Sequence, residues 1–165
     1  MAPDKESFVE LLRENRKIVF KICNSYCSNK DDRDDLAQEI VFNLWKSFAT
    51  FTPDYKFSTW MYRIGLNVAI SFYRKEIRAL QFSPYSENLM VFEDDTGYQA
   101  EKESNLNRLQ QFIFELNEID KSIMLLYLDD KNYREIAEIT GITESNVATK
   151  ISRIKDKLKS KFFKQ

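Results

Sequence analysis

The sequence predicts an all-α protein built from two small helical domains that an acidic linker joins. Its 165 residues include only three glycines and three prolines, and β-branched residues rarely alternate with polar ones, so helices are favoured over sheets. Apolar residues recur at helical spacing on both sides of residues 79–105, where that period is lost. With 43% hydrophobic and 31% charged residues, the composition is that of a soluble globular chain with room for one large core or two small ones.

Two helices open the N-terminal unit. The first is expected over about residues 4–28, with one apolar face formed by Phe8, Leu12, Val19, Ile22 and Tyr26. The polar run SNKDDRDD ends it, and an aspartate at position 31, 32 or 34 is expected to cap a second helix over about residues 34–48. That helix packs through a stripe of Leu36, Ile40 and Leu44. Its polar face shows Asp35, Gln38 and Glu39, which on their own are typical of a solvated helix end.

A segment rich in aromatic residues, FATFTPDYKFSTW, precedes the third helix. Pro53 indicates a loop that exposes rings, and the helix is expected to be capped near Ser58 or Thr59. The buried stripe of this helix is expected to consist of Trp60, Ile64, Val68 and Phe72. Exposed rings beside cations suit a single nucleic-acid strand, because bases stack on rings while phosphates meet lysine and arginine. The alternative is that these aromatic residues only close the first core, and for Trp60 that alternative is preferred.

The C-terminal unit contains the pattern of a helix-turn-helix. Its first helix is indicated by an apolar series at helical spacing, which consists of Leu106, Leu109, Phe112, Ile113 and Leu116. A new helix is expected to begin after Asn117, a typical helix cap. A later helix from Tyr133 stops at Gly141, where a left-handed residue is needed, and Thr143 is expected to cap the last helix. The last helix buries Val147, Ile151, Ile154 and Leu158 and turns outward Ser145, Asn146, Thr149, Lys150 and Arg153.

A polar, basic second helix after a glycine turn fits the DNA major groove. An ordinary antiparallel helix pair with a solvated face fits these residues about equally well. The C-terminal stretch alone therefore leaves both interpretations open.

Several functional classes are disfavoured by what the sequence lacks. It contains no histidine, the commonest general base and zinc ligand, and its isolated glycines form no phosphate-binding loop. Cys23 and Cys27 lie four residues apart on one helix, which suits core packing better than a disulfide or a metal site. We therefore expect neither an enzyme nor a cofactor or metal. Without an apolar run of membrane-spanning length or a signal-peptide pattern, the expected location is the cytoplasm, with no membrane insertion.

Charge is distributed unevenly along the chain, although the net charge is only −1. Residues 56–78 carry five basic residues and one acid, and residues 143–165 carry seven basic residues and two acids. Between them, residues 79–105 carry six acids and one lysine. Two basic segments therefore flank an acidic one, which is compatible with a nucleic-acid partner.

Taken in order, three segments resemble the bacterial RNA polymerase sigma factors, specifically their small two-domain extracytoplasmic-function group. DDLAQEIVFNLWKSF is similar to that family's polymerase-docking helix, KFSTWMYRIGLNVAISFYRKEIR to its minus-ten promoter segment, and NYREIAEITGITESNVATKISRIKDKL to its minus-thirty-five helix-turn-helix. The resemblance covers nearly the whole chain. It implies a first domain over residues 1–78, a linker over residues 79–105 and a second domain over residues 106–165.

The resemblance implies three sets of contact residues. Asp35, Gln38 and Glu39 are expected to dock on the clamp helices of the largest polymerase subunit. The loop 50–56 and the next helix are expected to capture a flipped base and the melted minus-ten strand, through Lys56, Trp60, Arg63, Asn67, Arg74 and Lys75. The minus-thirty-five contacts are expected from Ser145, Asn146, Thr149, Lys150 and Arg153. This chain has Ser71 where members of the group usually have aspartate, and Ala148 where a basic residue is frequent.

The function implied by the resemblance is that of a sigma factor, which binds core RNA polymerase through the clamp helices and the flap and directs promoter recognition, strand opening and initiation. Promoter DNA and an anti-sigma factor, free or membrane-anchored, are the other implied partners. The acidic linker is expected to enter polymerase channels that otherwise hold nucleic acid. One rival is a stand-alone helix-turn-helix regulator, which would need a ligand pocket or dimer helix in residues 1–105. A small helical enzyme is the other, and the missing histidine disfavours it.

Overall fold

All regular structure in residues 4–81 and 101–163, the part of the chain that the computed structural model describes, is helical. The chain divides into two compact units, Met1–Asp94 and Asp95–Gln165. The all-α class and the two-unit organisation are therefore confirmed. The middle of the predicted acidic linker lies outside the described residues. Its two edges were predicted without helical structure, yet residues 79–81 and 101–105 are helical.

Two helices, α1 (Lys5–Glu14) and α2 (Arg16–Tyr26), occupy the stretch predicted as one helix. The break lies at Asn15, whose backbone leaves the helical region (φ −112°, ψ 16°) and whose side-chain amide donates to the carbonyl oxygen of Leu11 at 2.9 Å. Asparagine competes for nearby backbone groups in this way and is therefore disfavoured inside helices. The prediction of one long helix is wrong because the apolar period continues across this break.

Helix α3 (Lys30–Ser47) begins before the predicted position, and its cap is not one of the three predicted aspartates. Asn29 is the cap, because its side-chain oxygen accepts the backbone N–H of Asp32 at 2.8 Å and its amide donates to the Asp32 carboxylate at 2.7 Å. Asp31 and Asp32 instead occupy the first turn, where negative charge is stabilised by the helix dipole.

Helix α4 (Phe57–Gln81) packs on α2 and α3 through a different stripe from the predicted one. The residues predicted as buried, Trp60, Ile64, Val68 and Phe72, are only half-buried. Burial falls instead on Phe57, Met61, Tyr62, Leu66 and Ala69. Gly65 lies on the same side, and a Cβ atom there would approach Ile22 Cδ1 to 2.9 Å. The lack of a side chain at Gly65 thus allows close helix packing, which a count of apolar intervals does not detect.

The connection between α3 and α4 consists of a short 3-10 turn, Phe48–Thr50, and a loop. Contrary to the expectation of exposed rings, Phe48, Phe51, Phe57 and Trp60 pack against one another with ring centroids 5.3 to 6.2 Å apart. Tyr55 is the ring of this loop that remains exposed, at 67%. Edge-to-face and tilted contacts between rings stabilise this aromatic cluster by more than the area they bury would contribute.

Helix α4 starts before the predicted caps Ser58 and Thr59, since the N–H of Trp60 already donates to the Lys56 carbonyl at 3.2 Å.

The second unit contains helices α5 (Glu101–Glu115), α6 (Glu118–Leu128), α7 (Tyr133–Thr140) and α8 (Glu144–Phe163). The predicted cap Asn117 is confirmed, because its side-chain oxygen accepts the backbone N–H of Asp120 at 2.8 Å. Leu106, predicted on the apolar face, is 55% exposed, whereas Phe114 is buried. The core of this unit joins α5, α6 and α8 through Phe112, Ile113, Leu116, Met124 and Ile154.

Helices α7 and α8 form the predicted pair around Gly141. Gly141 has φ 81° and ends α7, a left-handed conformation that glycine adopts without a steric penalty. The hydroxyl of Thr143 then accepts the backbone N–H of Asn146 at 3.1 Å and caps α8. Val147, Ile151 and Ile154 are buried as predicted, and Leu158 is half-buried. Across the described helices of both units, none has the length and apolarity that crossing a bilayer requires.

Candidate functional site

Helix α3 presents the first candidate surface. Asp35, Gln38 and Glu39 are all exposed, and the opposite side of the helix is fixed in the core by Leu36, Ile40 and Leu44, each 0% exposed. The fold therefore presents the three polar side chains together, as predicted. Glu76 of α4 lies close to this acidic surface: partial burial raises its pKa, and the carboxylates of Asp32 and Asp35 raise it further.

An apolar groove of about 700 Å³ opens beside Gln38, between α1 and α3. Its lining residues are Lys5, Phe8, Val9, Ala37, Gln38, Val41, Phe42 and Trp45. Phe42 and Trp45 remain 62% and 39% exposed, which is unusual for large apolar side chains placed next to each other on one surface. This groove was not predicted from the sequence. The signal for it was a second row of apolar residues on α3, a helix whose first apolar row already fills the core.

The exposed face of α4 carries most of the predicted minus-ten residues. Five of them follow one another at intervals of four, three, four and seven residues and therefore share one side of the helix: Lys56, Trp60, Arg63, Asn67 and Arg74. Lys75 is exposed but is turned roughly 100° away from Arg74, because a helix has 3.6 residues per turn. The structure therefore brings together five of the six predicted residues and separates Lys75 from them.

Arg78 was missed as a candidate on this face. It is exposed and follows Arg74 by four residues, so it extends the basic row by one turn. The interval of four residues between Arg74 and Arg78 could have predicted this, because it continues the helical spacing of the row that begins at Lys56.

Two aromatic residues lie at the start of the basic row. Trp60 is half-buried, with its ring centroid 5.3 Å from those of both Phe51 and Phe57, so it supports the loop while part of its surface remains accessible. Tyr55 is far more exposed and adjoins Lys56. A ring beside a cation at this position is able to stack on an unpaired base.

The exposed face of α8 contains four of the five predicted residues: Ser145, Asn146, Thr149 and Arg153. Lys150 is placed differently from the prediction. It is half-buried at the flank of the helix, where its Nζ lies 3.4 Å from Asp120 Oδ1 of α6. The prediction placed Lys150 on the outward face, although a side chain next to the buried stripe can reach a carboxylate on a packed helix.

Ser152 was missed on the same face. It is exposed and lies three residues after Thr149 and seven after Ser145, which places all three hydroxyl groups on one side of α8. The hydroxyl of Thr149 donates to the carbonyl oxygen of Ser145 at 3.0 Å and keeps its lone pairs available as acceptors. The centre of this face is therefore polar and largely uncharged.

The two cysteines belong to the N-terminal core, as predicted. Cys23 and Cys27 are 3% and 5% exposed, and desolvation by burial raises the pKa of each thiol to about 12. Both thiols are therefore protonated at neutral pH and are poor nucleophiles. No group of histidine, cysteine and carboxylate side chains within residues 4–81 and 101–163 is arranged to hold a metal ion.

Two family models match the chain, one on each unit. Sigma-70 region 2 matches residues 11–79, which include the α3 surface and the basic face of α4. Sigma-70, region 4 matches residues 106–158, which include the α7–α8 pair and the exposed face of α8. The first model therefore contains the α3 and α4 surfaces and the second contains the α8 surface, which is the predicted order of these three surfaces along the chain.

Known proteins resemble the chain over nearly its full length. ECF RNA polymerase sigma factor SigW of Bacillus subtilis is 27% identical over 169 residues, covering 94% of this chain and 89% of that protein. ECF RNA polymerase sigma-E factor of Haemophilus influenzae is 25% identical over 173 residues, covering 96% and 88%.

Solved structures share the fold. CnrH, in complex with the cytosolic domain of CnrY, superposes with a TM-score of 0.68 at 20% identity, over 96% of this chain and 89% of that one. The sigma factor RpoE from Bartonella quintana, in complex with the anti-sigma factor NepR, has a TM-score of 0.68 at 19% identity, over 94% of each chain. Because both region models occur in order on one chain and the relatives span nearly all of it, the chain belongs to the sigma-70 family of RNA polymerase sigma factors, within the extracytoplasmic-function group.

Proposed function

We propose that this sigma factor divides its work between its two units, with residues 1–78 docking on core polymerase and opening the minus-ten element and residues 106–165 reading the minus-thirty-five element. The observation that carries the proposal is the match of region 2 to residues 11–79 and of region 4 to residues 106–158 on one chain. A stand-alone helix-turn-helix regulator is not favoured, since such a protein has no use for a region 2.

The α3 surface is the proposed docking site for the clamp helices of the largest subunit. Asp35, Gln38 and Glu39 supply polar and charged contacts, and Phe42 and Trp45 supply apolar area in the adjacent groove. A protein interface typically combines an apolar centre with a polar rim. This proposed surface has both parts side by side on one rigid helix.

The basic face of α4 is the proposed minus-ten site. Lys56, Arg63, Arg74 and Arg78 would track the phosphates, while Asn67 in the middle of the row both donates and accepts hydrogen bonds to an unpaired base edge. Tyr55 and Trp60 would stack on a base released from the duplex. Lys75, turned away from this row, is the least favoured of the predicted contacts.

The exposed face of α8 is the proposed minus-thirty-five reader. A recognition helix lies in the major groove and contacts base edges through a few side chains. Ser145, Asn146, Thr149, Ser152 and Arg153 all face one way, and their hydroxyl, amide and guanidinium groups match the donors and acceptors of that groove. The flap of polymerase is the proposed protein partner of this unit.

The remaining partners also follow from the family. We propose an anti-sigma factor, free or membrane-anchored, as a regulator, because solved relatives have been captured with CnrY and with the anti-sigma factor NepR. The acidic segment 79–105 is proposed to enter basic polymerase channels, where its carboxylates would imitate nucleic acid. A cytoplasmic location follows from the need to reach polymerase and DNA.

Binding to core polymerase tests the proposed function directly. Purified chain and core enzyme are mixed, separated by size exclusion and titrated by fluorescence anisotropy of the labelled chain. The proposal expects a stoichiometric complex. Strong duplex binding by the chain alone, without complex formation, would instead support the stand-alone regulator.

A further inference from the structure

An ion pair connects the recognition helix α8 to helix α6. Lys150 Nζ lies 3.4 Å from Asp120 Oδ1, and only 30% and 11% of the two side chains are exposed. Lys150, predicted as a DNA contact, is thus directed toward the protein. The exposed face that carries Ser145 and Thr149 lies on another side of α8.

The carboxylate of Asp120 is held in place by groups other than Lys150. Its Oδ2 accepts the side-chain amide of Asn117 at 3.0 Å, and its own backbone N–H donates to Asn117 Oδ1 at 2.8 Å. Asp120 also lies in the first turn of α6, where the helix dipole favours a negative charge. Lys150 therefore meets an acceptor that is already fixed and largely removed from water, since Asp120 is only 8% exposed.

A DNA phosphate would compete with Asp120 for the same ammonium group. Each lysine that neutralises a phosphate releases condensed counterions and makes the slope of log affinity against log salt more negative by about 0.9. A lysine that stays on a carboxylate of its own protein releases none. Because salt screens buried pairs less than exposed charges, the Asp120 pair persists at salt concentrations that weaken contacts from exposed lysines.

We propose that Asp120 is a positioning residue that holds Lys150 off the DNA backbone and leaves minus-thirty-five reading to the uncharged face of α8 and to Arg153. The proposal rests on the proposed function of α8 as the recognition helix. Its consequence is that the sequence-independent part of binding is smaller than the lysine content of α8 suggests. Asp120, although it touches no DNA, thereby raises the share of base contacts in the total affinity.

The test measures the DNA affinity of holoenzyme, reconstituted from core polymerase and the full chain, at several salt concentrations. The quantity compared is the slope of log affinity against log salt concentration. Two probes are used: a duplex promoter that the holoenzyme has selected from a random library, and the same duplex with its minus-thirty-five element scrambled. Lys150→Met should leave the slope unchanged on both probes. Asp120→Asn should make the slope more negative by about 0.9 on both, because the released lysine can reach a phosphate. Lys150→Met in the Asp120→Asn background should cancel that change.

Lys159→Met is the matched control, because it removes the same charge from an exposed position of α8 that does not line the cavity beside Asp120. Its effect on the slope should be the same in the otherwise unmodified chain and in the Asp120→Asn background. A slope that becomes less negative by about 0.9 in Lys150→Met alone, or an unchanged slope in folded Asp120→Asn, would overturn the positioning role. Lys150→Met can still overturn the proposal even if circular dichroism shows that Asp120→Asn does not fold. Failure of the unmodified holoenzyme to prefer the selected probe would instead overturn the recognition role of α8.

Discussion

Asn67 is the residue at which strand capture can be separated from initial docking. Its amide lies in the middle of the basic row on α4 and is exposed, and edge recognition by an amide requires a base that has left its pair. We expect Asn67→Ala to form closed complexes normally and to open the minus-ten region poorly, as measured by permanganate reactivity of unpaired thymines. A pre-melted template should rescue the variant.

Lys75→Ala provides the comparison on the same helix. Lys75 is exposed but turned away from the row, so its removal should affect opening less than removal of Asn67. Equal defects in the two variants, or no defect of Asn67→Ala on either template, would contradict the assignment.

At the scale of single residues, the sequence predicted several features that local chemistry determines, although the local cap at Asn29 was missed, and it did not predict what packing determines. The caps Asn117 and Thr143 and the left-handed Gly141 were predictable because the required side chain or backbone freedom is a property of the residue itself. The ion pair of Lys150 was not, since it depends on a carboxylate thirty positions away. The break at Asn15 carried a local signal, which the continuing apolar period obscured.

Helix α3 is the element whose two sides can be altered independently. Its apolar stripe is buried, so Asp35→Lys with Glu39→Lys should leave circular dichroism unchanged while reversing the charge of the proposed docking surface. We expect the double variant to lose more than about tenfold in affinity for core polymerase, which corresponds to about 1.4 kcal/mol. Glu10→Lys, an exposed acid on α1, is the control and should bind normally. Unchanged affinity of the folded double variant would show that these residues do not dock on polymerase and form only a solvated helix end.

Helix α8 offers the opposite experiment, a change on the buried side. Val147 and Ile151 are 0% and 1% exposed, so Val147→Asp or Ile151→Asp buries a carboxylate without a partner and should cost on the order of 3–5 kcal/mol. We expect the C-terminal unit to unfold, visible as lost helical circular dichroism and a lower Tm. Ser152→Asp on the exposed face should keep the fold. A stable Val147→Asp variant would contradict the packing described for α7 and α8.

At the scale of elements, the main error of prediction was the buried side of α4. Apolar residues occur on two adjacent stripes, and their intervals alone do not say which stripe faces the core. Gly65 decides between them, because α2 can approach closely only where a side chain is missing. The groove beside α3 escaped prediction for a related reason: Phe42 and Trp45 look like core residues in the sequence, but α1 covers them only in part and they remain 62% and 39% exposed.

For the whole molecule, the order of segments carried more information than any single motif. The α7–α8 stretch alone left a helix pair and a helix-turn-helix equally open, and the acidic α3 face alone indicated only a solvated helix. Their succession, with the basic α4 between them, indicated the sigma family, and the two region matches on residues 11–79 and 106–158 confirm it. The contact residues themselves remain predictions, because partner surfaces are not encoded in the packing of the free chain.

The central claim is that this chain gives core polymerase the ability to start at specific promoters. Run-off transcription with purified core enzyme, with and without the chain, on a library of genomic fragments measures that ability. The account predicts discrete transcripts that require both core and chain, and their loss with Asp35→Lys and Glu39→Lys. Transcripts of unchanged number and position in the presence of a folded chain that binds core would contradict it.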